Sequence, residues 1–136
     1  MNKYICIGLT FMVLGFLGLI IFITTINNNP HHIYLLPENF VGEVQVTFDQ
    51  LDYPPLPKEE NAFIYTIPKS GKLKTSNTME SGGVEVNYVD NQGQRKKVSH
   101  EQFHGVSSHG GGEDNLTVAR TFIGTKEQYD DYLKQQ

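Results

Sequence analysis

Between residues 99 and 115 the chain reads SHEQFHGVSSHGGGEDN, which holds three of its five histidines. His100, Glu101 and His104 have the H-E-x-x-H spacing of zinc hydrolases. In that chemistry two imidazoles bind the metal and the glutamate takes the proton of the metal-bound water. His109, Glu113 and Asp114 follow closely enough to offer a third ligand. The physical demand is a helix, because two side chains four residues apart then share a face and can meet one ion. The surroundings argue against it: Gly105 follows at once and three more glycines stand at 110–112. On a strand His100 and His104 would lie about 13 Å apart, too far for one ion. The first reading is therefore a loop anchored by Phe103 and Val106, with no catalytic residue, no metal and no cofactor. The alternative is a zinc-dependent hydrolase with His100, His104 and His109 as ligands and Glu101 as base.

Other fragments promise less. His109 with Gly110, Gly111 and Gly112 matches the oxyanion loop of some esterases, but the G-x-S-x-G nucleophile turn is missing. Asp90 to Gly93 resembles part of a calcium loop without its alternating ligands or closing glutamate, and a hairpin turn explains it. The basic run Arg95, Lys96 and Lys97 suits an edge strand protected from edge-to-edge pairing. The PPLP run at 54–57 is expected to be a rigid connector.

Whatever these residues do, other segments must position them. Residues 4–26 carry no charge and only three threonines as polar interruptions. As a helix this segment would be about 34 Å long, enough to cross a hydrocarbon core of about 30 Å. It is longer than the apolar region of a cleaved signal peptide, and no A-x-A cleavage site follows it. Cys6, the only cysteine, lies near the start of the run without the small residues of a lipoprotein signal before it. The expectation is an uncleaved signal-anchor. Lys3 and the amino terminus are the only positive charges before it, so residues 1–3 stay cytoplasmic and the rest is exported. The protein is then a single-pass protein of the cell membrane, with residues 27–33 as linker and 34–136 as an extracellular domain.

That domain has ten Lys and Arg, all but Lys3 of the chain's eleven, against fifteen Asp and Glu. The acidic balance argues against nucleic acid as a partner. The domain has no disulfide to rely on and must bury its own core. In GEVQVTFDQ (42–50), Val44, Val46 and Phe48 alternate with polar residues, the pattern of a half-buried strand. Further strands are expected at 62–67, 72–77, 83–90, 95–100 and 116–123, separated by proline and glycine turns. Thr125 and Gln128 form a capping-box pattern, and Tyr129, Tyr132 and Leu133 share one helical face. A helix is expected over 126–134. These elements predict an all-β domain, a small β-sandwich or barrel of about six to seven strands with a short C-terminal helix, preceded by an N-terminal transmembrane helix.

YLLPENFVGEVQVTF (34–48), IPKSGKLKTSN (67–77) and FIGTKEQYDDY (122–132) resemble a family of small exported or membrane-anchored bacterial proteins classed as a domain of unknown function. The resemblance covers most of the exported part and rests on turn residues and alternating apolar positions. It implies the cell envelope and brings no activity or catalytic residue. With the anchor and the absence of a complete catalytic set, the expected function is a non-enzymatic binding or interaction module. Its partners would be the membrane, through the N-terminal helix, and a protein or envelope component outside it.

Overall fold

The computed structural model describes residues 30–109 and 116–136, without the side chains of Val106, Ser108 and His109. The apolar segment 4–26 and the ligand candidates Glu113 and Asp114 lie outside the described residues. Among those described, no helix is long and apolar enough to cross a membrane.

The described chain forms nine strands: β1 (His31–Pro37), β2 (Gly42–Thr47), β3 (Lys58–Glu59), β4 (Ala62–Thr66), β5 (Lys72–Lys74), β6 (Gly83–Val89), β7 (Arg95–Lys97), β8 (Phe103–His109) and β9 (Val118–Ile123). A 3-10 turn, His100–Gln102, leads into β8, and one helix, α1 (Lys126–Leu133), closes the domain. The strands pair in two sheets, ordered β3-β4-β1-β6-β7 and β5-β2-β9-β8. Leu36, Phe63, Tyr65 and Val86 of the first sheet meet Val44, Val46 and Ile123 of the second in one core. The expected sandwich with its C-terminal helix is present, with more strands than the six to seven expected.

β1 lies at the centre of the five-stranded sheet, parallel to β4 on one side and to β6 on the other. His31, His32 and Ile33, read above as linker, form its first half. One face of β1 meets the core through Tyr34 and Leu36 and the other half-buries Ile33 and Leu35, so both faces are apolar and no alternation marks it. The parallel pairs need no crossover helix here, because β2 in the opposite sheet carries the chain across between β1 and β4.

β8 corrects the loop expected at 103–109. Phe103 pairs with Ile123 and His109 with Val118 across an antiparallel ladder, broken by a bulge between His104 and Ser107. Gly105 sits in that bulge at φ +57°, a conformation glycine adopts without steric penalty. The glycine that seemed to end ordered structure sits instead where the β8–β9 ladder shifts its register by one residue.

The five-stranded sheet is curled. Arg95 of β7, at one edge, donates two hydrogen bonds of 2.9 and 2.7 Å to Glu59 of β3, at the other. Laid flat, those edges would be about 19 Å apart, beyond the reach of the two side chains. The resulting concavity buries Ile64 and Asn87 on the face turned away from the core.

α1 begins with the expected capping box: Gln128 N–H donates to Thr125 Oγ1 at 3.2 Å and Thr125 N–H donates to Gln128 Oε1 at 2.8 Å. It packs through Tyr129 and Tyr132 onto Phe122, on the outer face of the four-stranded sheet. Leu133, expected on the same buried face, is 50% exposed.

Candidate functional site

The residues of HEQFH are divided between a turn and a strand. Ser99 caps the turn by accepting the Glu101 amide, and His100, Glu101 and Gln102 complete it without reaching the length of an α-helix. Phe103 then enters the core, so His100 and His104 part company. His100 lies on the inter-sheet side next to Phe103. His104 lies on the outer face of the sheet, stacked on Tyr129 with ring centroids 5.1 Å apart. Its Nε2 is 3.0 Å from the Gly124 carbonyl. A carbonyl only accepts, so that nitrogen carries the proton and only Nδ1 is left with a lone pair. Glu101 is exposed to solvent. The backbone of His109 ends β8, and its side chain is outside the described set. Among the described residues no three His, Cys, Asp or Glu side chains converge as metal ligands would.

The same turn borders a different feature. β7 pairs with Asn87, Tyr88 and Val89, so among the described residues the first half of β6 has a strand neighbour on the β1 side alone. One more bond, Val98 N–H to the Val86 carbonyl at 2.8 Å, closes the paired region. Below it the sandwich is open between β6 and β8. Val84, Val86, Val98 and Phe103 line this groove, with Lys97, Ser99 and His100 at its lip. A narrower slot continues inward between Tyr34, Val44, Phe103 and Ala119, almost wholly apolar. Val84 is 55% exposed, unusual for a valine on the core side of a sheet. Lys97 is engaged by Glu85 at 3.4 Å, and the Asn87 amide with Lys97 holds the Glu85 carboxyl below the usual range. The groove therefore offers apolar surface and a lip of polar groups, and it is floored by a phenol that stays neutral: burial pushes Tyr34 up to about 12.

Next to Val84, and paired with it in register, is His32. It is 5% exposed, stacked on Phe63 and hydrogen-bonded through Nδ1 to the Tyr65 hydroxyl at 2.9 Å. Tyr65 in turn stacks face to face on Tyr34, with centroids 4.4 Å apart. His32 Nε2 has no hydrogen-bond partner among the described residues. Burial lowers the affinity of His32 for a proton below that of a free imidazole, although the Glu80 carboxylate and the Ser81 main chain act the other way. Sequence reading passed over this cluster because its members come from β1 and β4, thirty residues apart. The only local signal is a histidine within an apolar run, which more often marks a satisfied core residue.

With this geometry in view, the chain can be set beside known proteins. No curated protein matches it. Among solved structures it is similar to the 2.75 Å crystal structure of a "Putative Lipoprotein from Bacillus anthracis". The two share 28% identity and superpose with a TM-score of 0.58, over 70% of this chain and 69% of the other. Residues 28–132, which span all nine strands and most of α1, match a family of unknown function, DUF6843. The strands, the groove and all but the last residue of the helix thus lie within the matched span, and the chain belongs to the DUF6843 family.

Proposed function

We propose that this protein is a non-enzymatic binding module of the bacterial cell envelope, engaging a protein or envelope component through the groove between β6 and β8. The observation that carries this reading is the half-exposed Val84 above a floor of Val86, Val98 and Phe103. Exposed apolar surface arranged as a groove with a polar lip is the usual mark of a binding site. The anchor reading of residues 4–26 puts the groove outside the membrane, and the lipoprotein named for the similar structure supports an exported, membrane-associated setting.

The experiment is photocrosslinking from the full chain in bacterial membranes. A benzophenone side chain is placed at position 84 in the groove or at position 51, where Leu51 is 90% exposed and far from it in sequence. Discrete adducts from position 84 and none from position 51 are expected. Identical patterns from both positions, or none from either, would overturn the reading.

A further inference from the structure

The chain turns at 38–41 between β1 and β2, so the start of β1 and the end of β2 lie at one end of the sandwich. β5 runs parallel to β2 and β6 parallel to β1, so segment 75–82 crosses this same end from one sheet to the other. Pro30 touches the crossing: a Cβ on Gly82 would stand 1.9 Å from its carbonyl oxygen. This is therefore the end from which the chain runs back toward the apolar segment 4–26.

Two loops fastened to each other form its surface. Thr78 Oγ1 donates to the Asp49 carboxylate at 2.7 Å, and Asp49 N–H donates to the Asn77 carbonyl at 2.9 Å. Leu56 N–H donates to Asn77 Oδ1 at 2.6 Å, and the buried Thr75 hydroxyl donates to the Pro54 carbonyl at 3.1 Å. A turn closed by Tyr53 N–H on the Gln50 carbonyl, at 2.9 Å, holds Leu51 at its corner. Leu51 is almost fully exposed, and Tyr53 and Met79 are each more than a third exposed. One such side chain is ordinary, but three presented together by fastened loops mark an interaction surface. Lys74 Nζ stands 5.2 Å from the centre of the Tyr53 ring, and tyrosine and lysine are the residues that anchor proteins at the membrane–water boundary.

The length of chain outside the described domain decides what meets this surface. Four residue steps separate position 26, the last of the apolar segment, from Pro30, which allows at most about 14 Å of extended chain. The headgroup layer on each side of a bilayer is itself about 5–7 Å thick. An anchored domain thus keeps its Pro30 end at the lipid surface, where the tether makes the effective concentration of lipid high. Asp49, Asp52 and Glu80 are exposed on these loops, so attraction to anionic headgroups does not drive the contact. Asp52, next to Leu51, also limits its depth to the boundary of the acyl chains.

We propose that the end of the sandwich carrying Leu51, Tyr53 and Met79 docks on the lipid surface beside the anchor, with Leu51 entering the boundary between headgroups and acyl chains. Val84 is the second residue of β6, so docking brings the groove beside the membrane. The contact rests on the anchor reading of residues 4–26 and not on what the groove binds.

The test is fluorescence quenching of the full chain in phosphatidylcholine vesicles containing a lipid with a nitroxide on its acyl chain. Cys6→Ser removes the native thiol, and Leu51→Cys or Val41→Cys then carries one dye. Val41 is the matched control, half-exposed but in the turn at the far end, about 23 Å away along the seven residues of β1. Quenching at position 51 is expected to be at least about twofold that at position 41, given that separation. A dye carried by Met79→Cys is expected to be quenched too, and less so once Leu51→Asp is added. Equal quenching at 41 and 51, or quenching at 79 untouched by Leu51→Asp, would overturn the docking. Alkaline carbonate separates the causes of failure. A chain stripped from the vesicles has lost the anchor and the docking with it, whereas a chain retained without the contrast has lost the docking alone. Lipid contact at position 51 yields no protein adduct, so photocrosslinking from the groove reads independently.

Discussion

His32 and His104 each lie against a tyrosine, yet the two sites are constructed differently. His104 stands on an outer face, its ring covered by one helix and its Nε2 proton given to the Gly124 carbonyl. His32 stands between a core phenylalanine and the groove valine, with one nitrogen paired and the other without a geometric hydrogen-bond partner among the described residues. The first belongs to a pattern that names a chemistry in letters, and the second belongs to no pattern. The difference teaches that a motif transmits function only with the element its chemistry presupposes. HEQFH lacks its α-helix, while two strands far apart in sequence build a buried polar site without any motif.

The contrast is sharpest in stability. Tyr65 is 2% exposed and holds His32, Tyr34 and Phe48 together. Tyr65→Ala is expected to lower unfolding free energy by about 3–5 kcal/mol. His104→Ala removes one half-buried hydrogen bond and a stacked ring, and about 1 kcal/mol is expected. Chemical denaturation of both variants checks this, and equal losses would erase the distinction between the two sites.

The glycines beside them make a smaller test of the same kind. Gly82→Ala drives a methyl against a main-chain carbonyl that cannot yield, and about 1–3 kcal/mol is expected. Gly105→Ala meets the end of the Tyr129 side chain, which can move, and retains mainly the penalty of positive φ, about 1 kcal/mol. Thermal melts would rank them. A larger loss at Gly105 would shift the tightly held region to the outer face.

pH probes the His32 site directly. The folded value of His32 is below the ordinary 6.5, so as pH falls the unfolded chain takes up the proton first. Stability is therefore expected to be full well above 6.5, to decline as pH drops through 6.5, and to level off once the folded ring is also charged. His32→Phe should remove this component of the pH profile. A profile unchanged by that substitution would detach the linkage from His32.

The smallest expected effect concerns zinc. His100 and His104 face different sides of β8's start, and Nε2 of His104 is engaged. Calorimetry on the full chain is expected to find only weak zinc binding, unaltered in a His100→Ala/His104→Ala double variant. Submicromolar binding lost in that variant would restore HEQFH as a metal site and reverse the comparison.

Local chemistry in the sequence determined much of this molecule. Val44, Val46 and Phe48 announced β2 because one face of that strand meets the core and the other meets water. Thr125 and Gln128 announced α1 because a capping box satisfies the orphan amides of its own first turn. The glycine- and proline-rich turns announced an all-β domain. What those signals have in common is that each depends on residues within one turn or one strand. Only the tertiary structure decided the rest. β1 meets the core on one face and is half-buried on the other and so lost its alternation, and β8 needed β9 to turn a run holding Gly105 into a strand. The short reach of β7 exposed Val84 and opened the groove. His32 is covered by Ser81 and Gly82, some fifty residues further along the chain, a closeness that no periodicity encodes.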